Sequence, residues 1–548
     1  MPLVSTMTSL REALVAALKS LFKGKSFLKA LLAFWTTSPV TTPQDVATTT
    51  KVHDDPAADF LAEAEHLLLG YIEAGGLKKF SRKLKRQFRE RLRSNPACML
   101  PSYNSQLPTG NEAGQYLSLD VGGSTLRVAL VELKGRRASG SDSGIIRMDT
   151  FKIDSDVRNL RGTEFFDWIA ERIHRTVAQD IGKAHSPDQP LLAGLAWSFP
   201  IEQTSSKGGK LSGMGKGFLA EEGLVGQDLG EIIKAACQKK GLHVELSAIV
   251  NDSSAALLSE AYITPSTRFS LILGTGVNIA VHLPVTTIDQ AKFGDRPSSW
   301  HEKASHVIVN TELGMFGHDI LPLTKWDKLL KAAHPRPEFQ PLEHLVSGYY
   351  IGEICRLALL DAIPSTGVFG GTVPLSLEKP YSLDTETLSL IEADTTPTLS
   401  TALATFTTRH PTPGYQPTAA DLSFLRTLAS HIARRSASVV AASLFALWEL
   451  KAEAELDLLA SLDETSPFVA ETEAELRTFE RKTTVAFNGS VVEQYPGYQR
   501  YLQGYIDGLL AERQEGDAAA AAKGGQIALV EARESSLRGA AVALACLS

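Results

Sequence analysis

The chain has 548 residues, of which 43% are hydrophobic and 21% charged, and its formal net charge is -7. This length predicts two domains with appendages rather than one core. The absence of a basic excess argues against nucleic acid as a partner. Four scattered cysteines without CxxC spacing argue against a disulfide framework or a zinc site, and they favour a reducing, cytoplasmic compartment. Neither a secretory signal nor an apolar run of about 20 residues, as a membrane span needs, is found.

The first 35 residues form a segment of their own. At helical spacing, six apolar residues between 9 and 35 share one narrow stripe, and lysines lie opposite. Two interpretations stay open: a helix docked on the body or fraying in solution, or a surface helix that contacts a membrane or a partner. The second would place the chain peripherally on an organelle surface. Residues 36–56 are rich in Thr and Pro and predict a flexible linker. The apolar stripe of the first segment, residues 9–35, consists of Leu10, Leu14, Leu21, Leu28, Leu32 and Trp35.

Two later segments share one layout. Residues 116–133 and 269–284 each read as an alternating strand, a Gly-rich turn and a second strand. Each predicts a hairpin whose turn exposes backbone N–H groups, and together they suggest a duplicated phosphate-gripping unit. Residues 452–480 carry a surplus of Glu and Asp, which predicts a solvated helical insertion.

Several familiar motifs are excluded. The histidines of HEKASH (301–306) are five residues apart, so a helix could not turn both toward one zinc ion. The sequence holds no GxxxxGK[ST] phosphate loop and no GxSxG elbow, which excludes P-loop kinase chemistry and this type of serine hydrolase.

Asp252 is the candidate general base. Val250 ends a short apolar strand, and Asn251-Asp252 stands where a helix begins. Phosphoryl transfer to an alcohol needs a carboxylate within reach of the hydroxyl. The competing interpretation is that Asp252 is only a helix N-cap.

The segments around Asp252 resemble the eukaryotic hexokinase family, in the family's order, from roughly residue 57 onward. The resemblance implies an α/β fold: a two-domain actin-like ATPase, or ribonuclease H-like, architecture with a cleft between a small and a large domain. Residues 57–262 would form the small-domain part and residues 263–548 the large-domain part. The matching segments are Asp120-Val-Gly-Gly-Ser-Thr-Leu-Arg127, Ser198-Phe-Pro, Lys216-Gly-Phe, Asn251-Asp252, Gly274-Thr-Gly-Val-Asn278, Asn310-Thr-Glu312, Glu343 and Asn488-Gly-Ser490.

The resemblance implies an ATP-dependent hexose kinase that makes hexose 6-phosphate for glycolysis, with glucose as the first candidate. Asp252 would take the proton from the sugar hydroxyl, and Mg–ATP would be the cofactor. Asp120 would hold magnesium through water, without a direct metal ligand from the protein. The sugar would be bound by Ser198, Lys216, Asn251, Asn278, Glu312 and Glu343, with Asn310 in support. The ATP side would comprise Asp120, Gly122, Gly123, Ser124, Thr125, Arg127, Gly274, Thr275, Gly489 and Ser490.

The departures from the family lie mostly on the nucleotide side. Met214-Gly215 replaces Trp-Thr before the sugar-site lysine, and Asn488 replaces Asp. Ser535 and Leu537 stand where glycines are usual, so a weaker affinity for ATP is expected. Two alternatives follow: a sugar-binding regulator that has lost turnover, and a kinase for a bulkier amino sugar such as N-acetylglucosamine.

Overall fold

The computed structural model describes residues 55–94, 96–136, 143–178, 185–214, 217–516 and 525–547. The amphipathic segment 9–35 and most of the predicted linker lie outside these residues. The strands are β1 (Leu100–Pro101), β2 (Ala113–Val121), β3 (Thr125–Lys134), β4 (Ser143–Lys152), β5 (Leu191–Trp197), β6 (Ile201–Gln203), β7 (Gly209–Leu211), β8 (Val244–Val250), β9 (Thr267–Leu273), β10 (Val277–Pro284), β11 (His306–Asn310), β12 (Lys482–Asn488) and β13 (Gln526–Glu531).

The α-helices fall mainly between and after the strands of the two larger sheets. In chain order they are α1 (Pro56–Leu69), α2 (Gly76–Ser94), α3 (Ser155–Arg158), α4 (Thr163–Val177), α5 (Leu229–Gln238), α6 (Asp252–Ile263), α7 (Ser298–Lys303), α8 (Lys325–Ala333), α9 (Glu343–Val346), α10 (Gly348–Thr366), α11 (Thr385–Ala393), α12 (Ser400–Arg409), α13 (Ala419–Ser461), α14 (Val469–Arg481), α15 (Ser490–Gln494), α16 (Tyr498–Gly516) and α17 (Ser535–Ala545). None of these helices, within the described ranges, is both long and apolar enough to span a bilayer.

The first sheet has the strand order β4-β3-β2-β5-β8. Strands β2 and β3 are antiparallel and joined by a tight turn, which confirms the hairpin predicted at residues 116–133. Strands β2, β5 and β8 are parallel to one another, so their carboxyl ends meet at one edge of the sheet. Helices α4 and α5 cover one face with apolar side chains such as Phe165, Ile169 and Ile233.

The second sheet has the order β1-β11-β10-β9-β12-β13. Its β9–β10 hairpin confirms the second predicted hairpin, and β12 runs parallel to β9 on the other side. The long helix α13 crosses this sheet and is buried along most of its length, because its residues are small or apolar on several faces. Two hairpins of one layout therefore occupy two different sheets.

Helices α1 and α2 belong to the core of the second sheet. Leu68, Leu84 and Phe88 are fully buried there with residues of α13 and β9. Residues 57–262 were expected to form the small-domain part, yet α1 and α2 pack with the second sheet; the domain bounds themselves stay a prediction. Local periodicity reveals an amphipathic helix but not the distant surface that covers it.

A third apolar cluster connects the two sheets. Helix α6, which follows β8 of the first sheet, packs against β9 and β10 of the second and against α17. Helix α17 also lies on β2, β3, β5 and β8. Gly539 makes the α6–α17 contact possible, since a Cβ there would lie 2.0 Å from the carbonyl oxygen of Ala255.

Candidate active site

Three turns leave the same edge of the first sheet. In the register of the parallel strands, Asp120 on β2 is paired with Ala196 on β5, and Ala196 with Val250 on β8. The residues that follow these strands therefore emerge side by side. They are the glycine turn after Val121, Ser198, and Asn251 with Asp252. The carboxyl edge of parallel strands is where α/β proteins most often bind ligands.

Asn251, and not Asp252, is the N-cap of α6. The Asn251 Oδ1 accepts a hydrogen bond of 2.8 Å from the backbone N–H of Ser254. Asp252 is the first residue of the helix, and its Oδ1 accepts from the N–H of Ser253 at 2.7 Å. The interpretation of Asp252 as the cap is therefore wrong. Its half-buried carboxylate lies in the first turn, where the helix dipole favours a negative charge.

A chain of amide and carboxylate groups lies on the second sheet. Asn278, the second residue of β10, donates from Nδ2 to Asn310 Oδ1 at 2.8 Å. Asn310, the last residue of β11, donates in turn to Glu312 Oε1 at 2.8 Å. Asn278 also donates to Ser253 Oγ of α6 at 3.3 Å, so this series of hydrogen bonds extends to the helix that carries Asp252.

The carboxyl group of Glu312 is electrostatically coupled to Asp252. Burial raises the pKa of Glu312, the hydrogen bond from Asn310 opposes this rise, and the negative charge of Asp252 adds to it. Glu312 adopts left-handed backbone angles of φ 52° and ψ 53°, which are unfavourable for a side chain larger than glycine. Strain of this kind is typical of functional positions, where the surrounding structure enforces it.

Glu343 connects the predicted sugar site with a predicted phosphate-binding turn. It is the first residue of α9, and its Oε2 accepts from the backbone N–H of Val277 at 3.0 Å. A Cβ on Gly276 would lie 2.8 Å from that same oxygen, so a side chain there would displace the carboxylate from this position. The β9–β10 turn and Glu343 therefore hold each other in position.

The two nucleotide turns of the second sheet lie against each other. Gly489, at the end of β12, has φ 126°, and a Cβ there would lie 2.5 Å from the backbone of Leu273. A Cβ on Gly274 would lie 3.4 Å from the backbone N of Ser490. Thr275 is exposed at the tip of the neighbouring turn. The positive φ and the close approach of the Leu273 backbone explain the glycine at position 489.

Asp120 forms an ion pair with Arg127, and the same arginine also pairs with Glu534. Arg127 lies directly across the β2–β3 hairpin and donates from Nε to Asp120 Oδ2 at 2.9 Å. Its Nη1 donates to Glu534 at 2.6 Å, just before α17. Burial raises the pKa of Asp120, the charge of Arg127 opposes this rise, and Glu534 adds to it. The predicted nucleotide residues Asp120 and Arg127 thus join the first sheet to α17.

Sequence reasoning missed Glu534 and Arg158 as site neighbours. Arg158 donates from Nη2 to the carbonyl of Gly123 at 2.9 Å and so supports the first glycine turn. In that turn the N–H of Gly122 donates to the carbonyl of Thr125 at 3.0 Å. The acid at Glu534 was a usable signal, because it lies among the departures at the nucleotide side.

Two further expectations need comment. Lys216 lies outside the described residues, as does Gly215. Leu537 is fully buried between α6 and α17, and Ser535 is 3% exposed. Both side chains lie in packed structure, and the weaker affinity for ATP that was expected stays a prediction.

Comparison with known proteins agrees with this geometry. Two sequence models described as hexokinase match residues 70–262 and 268–546. The hexokinase of Schwanniomyces occidentalis is 32% identical over 390 residues, which cover 69% of this chain and 79% of that protein. Hexokinase-1 of Arabidopsis thaliana is 34% identical over 307 residues, which cover 55% of this chain and 59% of that protein.

Solved structures share the fold. A hexokinase from Schistosoma mansoni superimposes with a TM-score of 0.67 at 24% identity, over 89% of this chain and 99% of that one. Another hexokinase crystal structure gives a TM-score of 0.66 at 26% identity, over 90% and 99% of the two chains. The fold is thus the two-domain α/β fold of the actin-like ATPases, as expected. The chain belongs to the hexokinase family, and it is a phosphotransferase that uses ATP to phosphorylate a hexose.

Proposed function

We propose that the preferred substrate is glucose, that the phosphoryl group is transferred to its 6-hydroxyl, and that Asp252 is the general base. The observation that carries the proposal is the division of roles between Asn251 and Asp252 at the start of α6. Because Asn251 caps the helix, the carboxylate of Asp252 can serve the substrate. A glucose complex of the Schistosoma mansoni hexokinase supports the choice of sugar.

The proposed reaction is one in-line displacement. Asp252 accepts the proton of the 6-hydroxyl as the hydroxyl oxygen bonds to the γ-phosphorus of ATP, and the bond from phosphorus to the bridging oxygen breaks to release ADP. The protein contributes mainly by positioning the two substrates. Glu312, whose pKa is raised by burial, lies close enough to sense the charge of Asp252. The two carboxyl groups therefore belong to one site.

The sugar would be held by groups that both donate and accept hydrogen bonds. Asn278, Glu312 and Glu343 are fixed by neighbours, which lowers the entropy lost on binding. Asn310 supports Glu312 through its amide nitrogen. Ser198, Asn251 and Lys216 complete the proposed set. A hexose hydroxyl that lost its partner would leave a buried polar group unpaired, which is how such a site selects sugars.

Magnesium is the proposed partner of ATP. Asp120 Oδ2 is taken by Arg127, whereas Oδ1 accepts no hydrogen bond from the described residues. One remaining carboxylate oxygen fits a contact to a water of a hard divalent cation. When bound, magnesium would neutralise charge on the triphosphate. The glycine turns with Ser124, Thr275 and Ser490 would contact the phosphates.

A coupled assay with glucose, mannose, fructose and N-acetylglucosamine tests the proposal. The highest kcat/KM should be with glucose. Sugar binding without ATP should be measured beside it by calorimetry. Binding without turnover would favour the regulator, and a clear preference for N-acetylglucosamine would favour the amino-sugar kinase. Either result would contradict the proposal.

We also propose a cytoplasmic location. All four cysteines are unpaired, and Cys98, Cys237 and Cys355 are buried, which suits a reducing compartment. Contact with a membrane or partner through residues 9–35 stays a prediction, because that segment lies outside the described residues.

A further inference from the structure

Helix α2 separates its apolar and its basic residues completely. Its leucines and phenylalanines, with Ser81, are buried on one face, and α13 covers that face. The opposite face is exposed and basic. Four exposed cations lie on it at spacings of three, four and seven residues, and we name them the basic crest: Lys79, Arg82, Arg86 and Arg93.

Two of the cations beside the crest form ion pairs, whereas the four crest residues form none. Lys85 pairs with Glu449 and Glu453 of α13, both at 2.9 Å, and Arg89 pairs with Glu453 at 2.5 Å. Within the described part of the chain, no crest residue takes part in an ion pair or a side-chain hydrogen bond. Glu90, the only acid of α2, is exposed on the same face between Arg86 and Arg93, so the crest keeps an excess of three positive charges over this acid.

Lys79, Arg82 and Arg86 of the crest do not stabilise the helix that carries them. Like charges three and four residues apart repel each other on a helix surface. The chain as a whole has a net charge of -7, so the crest is a local reversal of sign. A potential of this kind attracts an anionic partner from solution.

We propose that the basic crest binds the surface of an anionic phospholipid membrane. From Lys79 to Arg93 the crest extends about 20 Å along one straight helix, at about 1.5 Å per residue. Such a row can touch many headgroup phosphates at once, and the arginine forks suit phosphate oxygens.

The absence of apolar groups on the crest decides between partners. Every Leu and Phe of α2 is buried, so the crest offers no aromatic or aliphatic anchor. Stable protein interfaces depend on such anchors at their centre, and single-stranded nucleic acid needs aromatic rings on which bases stack. A membrane surface requires only cations near its headgroups.

The test is sedimentation of the full-length chain with vesicles. One set contains phosphatidylcholine alone and the other about 30% phosphatidylserine, close to an acidic cytoplasmic leaflet. Binding is expected only to the acidic vesicles, and it should fall at high salt, which screens the attraction. The combined variant Lys79→Gln, Arg82→Gln, Arg86→Gln and Arg93→Gln should bind at least about a hundredfold more weakly, at about fivefold per cation.

A matched control removes four exposed cations elsewhere: Arg175→Gln, Lys210→Gln, Lys303→Gln and Lys379→Gln. It should bind acidic vesicles like the native chain. Both variants should keep the native kcat for sugar phosphorylation, which shows that they fold. Equal binding by the two variants would overturn the proposal, because residues 9–35 or general charge would then explain it. Preference for duplex DNA or polyglutamate over the vesicles would overturn it as well.

Discussion

At the scale of single residues, two neighbours divide tasks that sequence alone could not separate. Asn and Asp are equally good N-caps, so the pair Asn251-Asp252 left the assignment open. The hydrogen bond from Ser254 to Asn251 settles it. Because Asn251 caps the helix, Asp252 can be substituted without loss of the cap.

Replacement of Asp252 by Asn should lower kcat by about 10²–10⁴-fold, because the proton acceptor is lost while size and polarity are kept. Glucose binding, measured by calorimetry, should change far less. The melting temperature should stay close to native, since the cap at Asn251 is untouched. Turnover near the native value in a folded Asp252→Asn protein would show that Asp252 is not the general base.

At the scale of elements, the acidic segment 452–480 was predicted to be a solvated insertion, and this is wrong for its central carboxylates. Glu455 is fully buried against His306, and Glu475 pairs with Arg268 at 2.6 Å and Lys451 at 2.9 Å. The partners lie on β9, on β11 and earlier on α13 itself. Composition shows a surplus of acid, but it does not show that Arg268 and His306 pair with these acids from more than a hundred residues away.

His306 should make stability depend on pH. Burial alone would lower its pKa, but hydrogen bonds to Glu455 and Glu471 outweigh burial and raise the pKa above 6.5. The stabilisation is therefore complete below pH 6.5 and is lost as the pH rises through the raised value. His306→Gln should lower the free energy of unfolding by about 3 kcal/mol near pH 6, as expected for a broken buried pair. The loss should shrink toward pH 9.

The matched control for this titration is His174→Gln on the exposed surface of α4. Urea denaturation at several pH values should give the same stability for this variant and the native chain. If His306→Gln lowered the free energy of unfolding equally at pH 6 and pH 9, the effect would come from packing and not from an ion pair of a charged His306.

The contact between α6 and α17 should not tolerate a methyl group. Gly539→Ala would place a Cβ 2.0 Å from the carbonyl of Ala255, so the helices must separate. A loss of about 1–3 kcal/mol is expected from overpacking, and kcat should fall because α6 carries Asp252. In contrast, Gly504→Ala in α16 meets open space and should raise stability by up to about 1 kcal/mol. Thermal melting of both variants measures this; equal stabilities would contradict the close packing.

At the scale of the whole molecule, sequence patterns identified both hairpins and the strand that precedes Asp252. They did not show that α1 and α2 complete the core of the second sheet, because the covering residues of α13 lie more than 300 positions later. The ion pairs from Arg127 were equally invisible, since Glu534 is distant in sequence. Short sequence patterns thus predicted the elements around the candidate site. Which sheet each helix packs against depends on long-range contacts that such patterns do not show.

Removal of residues 1–54 should leave kcat/KM for glucose within a few-fold of the full chain. Asp55 must be kept, because it caps α1 by accepting from the N–H of Ala57 at 3.1 Å. The linker predicted at residues 36–56 overlaps the start of this helix by two residues, Asp55 and Pro56. Deletion of 1–56 should therefore cost about 1 kcal/mol more than deletion of 1–54. Enzyme assays and melting curves of both truncations check this, and loss of activity in the shorter deletion would mean that residues 1–54 support the fold.

The position of α17 has a consequence for biosynthesis. The helix covers apolar residues of β5 and β8, among them Ala248 and Val250, which leave the ribosome almost 300 residues earlier. Until residues 535–545 have been translated, this part of the first sheet has no cover and Arg127 has no Glu534 to bind. The nascent chain therefore exposes this apolar face over roughly the second half of its synthesis, and we expect chaperones to limit its aggregation during that time.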